Sequence, residues 1–188
     1  MPLTLAITLV TVTLILGVYL VWTEGRLERL ATRVQGSWSA LDAQLVRRSA
    51  AAGELAAYCR RHACGDVDLA EAMEDAAVDA QSAGQSEREY AENELSKAIR
   101  AALVALGPAG VGESKPDRLR AELATSATRV GLARQIYNDA VRDLRGLRRR
   151  RIAGLLVRRG RHVSPGDFFE IDDTALSLAA TSAVGGQD

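Results

Sequence analysis

The sequence predicts an all-α protein, built as an N-terminal transmembrane helix followed by an antiparallel long-helix bundle of three main helices and at most a short fourth element. Three observations predict it. Residues 3–22 form an unbroken, uncharged, mostly apolar run; two later stretches repeat apolar residues at alternating steps of four and three; and alanine, leucine, arginine and glutamate are prominent, with aromatics at only 4%. The four prolines, Pro2, Pro108, Pro116 and Pro165, lie outside the periodic stretches, where they punctuate helices rather than kink them. With 188 residues and a formal net charge of zero, the chain has room for one membrane segment and one domain, and no overall field draws it to nucleic acid or lipid.

A helix over Leu3–Trp22 is about 30 Å long at about 1.5 Å per residue, the thickness of a bilayer's hydrocarbon core. Thr4, Thr8, Thr11 and Thr13 are tolerable there, because a threonine hydroxyl can donate back to its own helix. Tyr19 and Trp22 stand at the end of the run, where amphipathic rings favour the headgroup layer. A cleavable signal would need a basic start, a shorter apolar core and small residues before the cut, and none of these is present. The first charges are Glu24, Arg26, Arg29 and Arg33, whereas no Lys or Arg precedes the run. The positive-inside rule therefore places the N-terminus outside and the body in the cytoplasm of a bacterial cell membrane. The expected division is a transmembrane helix over 1–23, a helical bundle over 24–172 and a disordered tail over 173–188.

Within the body, Val34, Trp38, Leu41, Leu45, Arg48, Ala52, Leu55 and Cys59 form a seam that faces a partner helix, with Arg48 its single charged member. Asp66 can cap a second helix that runs through the alanine-rich stretch to Leu106, with Met73, Leu95, Ile99 and Leu103 on its thin apolar face. Gly107 and Pro108 end it, and 107–116 reads as a loop. The third helix carries Leu119, Leu123, Ser126, Val130, Ala133, Tyr137, Ala140, Leu144 and Leu147 in register. Beyond Arg151 the periodicity fails, which suggests irregular chain.

Three blocks add a family resemblance. The stretch Arg33-Val34-Gln35-Gly36-Ser37-Trp38-Ser39-Ala40-Leu41-Asp42-Ala43-Gln44-Leu45-Val46-Arg47-Arg48 resembles the signature of the LemA family, as does Ala133-Arg134-Gln135-Ile136-Tyr137-Asn138-Asp139-Ala140-Val141, and Phe168-Phe169-Glu170 is similar to that family's C-terminal ending. The sequence departs from the family at Gly53, where a proline is usual, and at Arg149-Arg150-Arg151, where a Phe-Pro pair is usual. The resemblance implies a long-helix bundle on a membrane anchor with a cytoplasmic body, and it carries over no enzymatic activity.

Candidate chemistry is sparse. Cys59, His62 and Cys64 are metal-ligand types, but at i, i+3 and i+5 they do not converge on one point of a helix, and His162 is the only other histidine. Zinc needs three or four converging ligands, so the expectation is no metal, one core cysteine and one near a helix end. Neither histidine neighbours a nucleophile motif, Gly107–Gly112 is a turn between helices rather than a phosphate loop, and no Glu-x-x-His pair is present. No catalytic residue, cofactor-binding residue or cofactor is expected.

Charge is unevenly spread: 66–94 holds ten acids and one base, and 142–161 holds nine arginines and one acid. These can be solvated faces that neutralise each other within the bundle, pair between copies, or bind anionic lipid. Counting three alternating helices puts the arginine-rich end away from the membrane, out of reach through a Debye length of about 8–10 Å. Arginines without a reading motif give no support to nucleic acid as a partner. The expected partners are the bilayer, through 3–22, and a protein or a second copy. The expected function is a single-pass scaffold or adaptor without catalytic activity, a coiled-coil-like body on an anchor. The alternative is a lipid- or envelope-interacting membrane-remodelling factor.

Overall fold

The computed structural model describes residues 2–62, 65–107, 114–149 and 167–171. All regular structure among them is α-helical: α1 (Pro2–His62), α2 (Val67–Ser82), α3 (Arg88–Leu106) and α4 (Lys115–Arg149). The expected tail 173–188, the irregular stretch 152–166, Cys64 and His162 lie outside the described residues.

α1 runs 61 residues without a break. Its first third is long and apolar enough to cross a membrane, and none of that window is buried against the protein. The threonines behave as their chemistry requires. Thr8, Thr11, Thr13 and Thr23 each donate a hydroxyl hydrogen bond of 2.8–2.9 Å to the carbonyl four residues earlier, so no polar group faces outward unsatisfied at these positions. Between Trp22 and the start of the seam at Val34 there is no proline and one glycine, Gly25, which remains helical.

The single second helix expected between Asp66 and Leu106 is two helices. Asp66 does cap the first of them, its Oδ1 accepting from the Asp68 N–H at 2.9 Å. The helix then stops at Ser82, where Ala83 turns extended (ψ 132°) while its N–H still bonds Asp79 O. Ser82-Ala83-Gly84-Gln85-Ser86 explains the break: serine competes for backbone hydrogen bonds, and glycine costs about 1 kcal/mol in a helix interior. The N–H groups of Glu87 and Arg88 both return to Gly84 O, closing the turn. α3 ends as expected at Gly107, whose φ of +70° a residue with a Cβ would resist. α4 starts two residues earlier than the loop predicted, so Pro116 sits in its first turn, where a missing N–H costs nothing. Ser114 caps it, exchanging hydrogen bonds with the carboxylate and N–H of Asp117.

The chain forms two compact units, Met1–Trp38 with Tyr137–Phe168, and Ser39–Ile136 with Phe169–Asp188. In the second, the core is largely alanine: Ala51, Ala52, Ala56, Ala70, Ala77, Ala80, Ala91, Ala102 and Ala127 surround Leu55, Met73, Leu95, Ile99 and Leu123. Small side chains let helix axes approach closely, at the expense of buried area per residue. The α1 seam falls inward from end to end, every member being buried except the half-buried Trp38. The α4 seam is buried too, apart from the half-buried Ala133.

Gly53 belongs to this contact surface. A Cβ added there would lie 3.8 Å from Ala77 Cβ, an ordinary van der Waals distance. Gly53→Ala should therefore stabilise the protein by about 0.5–1 kcal/mol through helix propensity alone. Guanidinium unfolding of the full-length chain in detergent measures this, and a lower midpoint would mean that the helices are closer than this distance.

Candidate functional site

Polar residues gather in two places, one in each unit. In the second unit, the charged member of the α1 seam, Arg48, is fully buried. Its Nη1 lies 3.4 Å from Glu92 Oε2 and its Nη2 donates to Ser96 Oγ at 2.5 Å, both partners being buried on α3. Ser96 Oγ in turn donates to Glu92 O at 2.8 Å. One helical turn before Glu92, the buried Arg88 spans two elements, bonding the α1 carboxylate of Asp42 and the carbonyl of Ala80 on α2. Arginine keeps its charge under all ordinary conditions, so its burial demands such partners. Asp42, Arg48, Arg88, Glu92 and Ser96 thus form two polar cross-links between α1 and α3, through an otherwise apolar core.

Of these five, sequence reasoning marked only Arg48. The others carried a signal: Arg88, Glu92 and Ser96 repeat every four residues on the face that also bears Leu95 and Ile99. Polar residues at core positions of an amphipathic period point to a buried network.

The first unit holds the other gathering. Trp38 meets Tyr137 edge to face, with ring centroids 5.4 Å apart, and Arg33 Nη1 lies 3.5 Å from Asp143 Oδ2. Residues 137–143 of α4 therefore lie beside 33–38 of α1, with rising numbers on one matching falling numbers on the other. The described end of α4, up to Arg149, therefore runs toward the apolar segment, which corrects the expectation that it points away; residues 150–161 lie outside the described residues. That expectation rested on three helices, and four are present among the described residues. Arg142 pairs with Asp139 at 2.5 Å. Arg145 donates to Asp167 at 2.8 Å and lies over the Phe168 ring, 4.4 Å from its centroid. At the edge of the apolar run, the Arg26 guanidinium lies 5.7 Å from the Trp22 ring, which is 6.4 Å from that of Tyr19. Tyr137 donates its phenol hydrogen bond to Asp167 O at 3.0 Å. Burial, with the Asp167 carboxylate adding to it and Arg145 opposing, pushes that phenol above its ordinary 10.0.

The remaining candidates stay apart. Cys59 is buried on the seam, while His62 is exposed at the end of α1, its ring 4.4 Å from that of Tyr58. No group of three His, Cys, Asp or Glu side chains able to hold a metal occurs among the described residues. Most acids of 66–94 are solvent-facing; Glu92 is taken by Arg48, and Glu74 pairs with Arg60 at 3.0 Å. No protein-family model matches the chain, and no curated protein matches it.

Two outcomes follow from this geometry. Arg48→Met alone strands the Glu92 carboxylate in the core and should cost about 3–5 kcal/mol, whereas Arg48→Met with Glu92→Met should recover most of the loss. A double variant as unstable as the sum of the singles would show that the pair is not coupled. For Tyr137, the folded phenol titrates above the unfolded one. Its contribution is fully present below about pH 10 and is lost as pH rises through the folded value. Tyr137→Phe should cost about 1 kcal/mol near neutral pH through the lost hydrogen bond, and should make stability flatter between about pH 9 and pH 11 than in the parent chain.

Proposed function

We propose that the chain is a non-catalytic, single-pass membrane protein of the LemA type. Residues 3–22 anchor it, and its helical body serves as a scaffold on the cytoplasmic side of a bacterial membrane for a protein partner or further copies of itself. The observation that carries this reading is α1 itself. An uncharged run with no protein packed against it passes, without a hinge, into a seam that forms one wall of a core. The blocks that resemble the LemA family support it as well. Val34, Leu41, Leu45 and Arg48 of the first block, Tyr137, Ala140 and Val141 of the second and Phe169 of the third are all buried, so the likeness lies in residues that a fold needs.

Antiparallel packing is favoured within each unit: Arg33 with Asp143 and Trp38 with Tyr137 pair α1 and α4 in opposite directions in the first, and Arg60 with Glu74 joins α1 to α2 across a short connection in the second. The cytoplasmic side is favoured by Arg26, Arg29 and Arg33, and now also by the arginines that α4 brings alongside them.

Trypsin added to intact spheroplasts should leave the chain whole and should cut the body in inside-out vesicles; the reverse pattern would invert the orientation. Photo-crosslinkers at the exposed Tyr90 and Leu132, used in intact cells, should capture a discrete partner or a second copy. A body that captures neither is no scaffold.

A further inference from the structure

We propose that the arginine-rich end of α4 docks on the anionic leaflet entered by α1, so that Arg149 joins Arg26 and Arg29 in gathering phospholipid phosphates around the anchor. This rests on the reading of 3–22 as a membrane span. The register between the two helices comes from Arg33–Asp143 and Trp38–Tyr137. One step forward along α4 then matches one step back along α1. Arg149, six residues past Asp143, lies level with residue 27, about five residues and about 7–8 Å from Trp22. An arginine extends its guanidinium several ångströms beyond its backbone and can direct it toward headgroups. The remaining gap is within a Debye length of about 8 Å.

Charge makes the return of α4 matter. From Glu24 to Arg33, α1 carries two acids and three bases, Glu24 and Glu28 against Arg26, Arg29 and Arg33. That flank alone is close to neutral. At the end of α4, Arg145 pairs with Asp167 and Asp143 with Arg33, and the exposed Arg149 stands beyond both pairs. The basic surface at the membrane edge therefore joins Arg26 and Arg29 to an arginine more than a hundred positions away in the chain. Arg26, Arg29 and Arg149 are exposed, and Trp22 marks the headgroup level beneath them. The polyanion present at that level is the leaflet itself, and a basic residue so placed raises affinity for anionic lipid about fivefold.

The test uses the full chain with Trp38→Phe, which leaves Trp22 as the sole tryptophan. It is reconstituted in phosphatidylcholine vesicles doped with brominated phosphatidylglycerol or with brominated phosphatidylcholine, each of which quenches Trp22 on contact. The brominated anionic lipid should quench at an about tenfold lower mole fraction. Arg149→Gln alone should reduce that preference two- to fivefold, and raised salt should erode it. Equal quenching by the two lipids in the parent chain overturns the proposal, as does a preference that responds to Arg29→Gln but not to Arg149→Gln. The latter outcome would leave the α4 end to a protein partner or a second copy. Failure of the chain to float with the vesicles would instead refute the membrane span.

Discussion

A guanidinium placed among leucines cannot shed its proton, and the desolvation of Arg48 therefore dictates what must stand opposite it. The protein answers with a carboxylate and a hydroxyl one turn apart on α3, and repeats the device with Arg88 and Asp42. An apolar isostere in place of the whole group would leave the core as stable or more so. What the polar cross-links add is position. A core lined by alanine offers shallow ridges and grooves, along which one helix can slide past another with little change in contact. Charged partners at fixed heights remove that freedom, because a one-turn slip separates both pairs at once. The register of α3 on α1 rests on these pairs.

The seams on α1 and α4 were legible because large apolar residues recur with the right period over long stretches. The caps at Asp66 and Gly107 were legible because each side chain has a specific reason to end a helix. The break at 83–87 was hidden by phase. Met73 and Leu95 are twenty-two positions apart, close to six whole turns of a helix, so the apolar stripe reads as continuous through a turn that interrupts it. Only Gly84 between two serines marked the place, and a lone glycine in an alanine-rich run is a weak signal.

The site was legible in its parts and not in its arrangement. Arg48 stood out as a charge on an apolar seam, yet its partner was one of ten acids in 66–94 with nothing to single it out except its period. The arginines of 142–149 were equally visible, but their position depended on the number of helices before them, and one missed turn reversed the answer. Phe168-Phe169-Glu170, uninformative as a string, proves to be where Phe169 enters the interior while Phe168 lies beneath the Arg145 guanidinium.

The unbroken course of α1 sets a further condition on the sequence between Trp22 and Val34. Each residue of a helix adds a rotation of about 100° as well as a rise of about 1.5 Å. The face of the apolar run that carries the shallow groove along Leu9, Thr13, Gly17 and Val21 is thus tied in azimuth to the face that carries Val34 and Trp38. Inserting or deleting one residue in this stretch would leave length and composition almost unchanged, yet would turn the groove through more than a quarter of a circle. Only changes near whole turns, of seven or eleven residues, would preserve the bearing. The segment acts as a drive shaft whose length is free only in discrete increments.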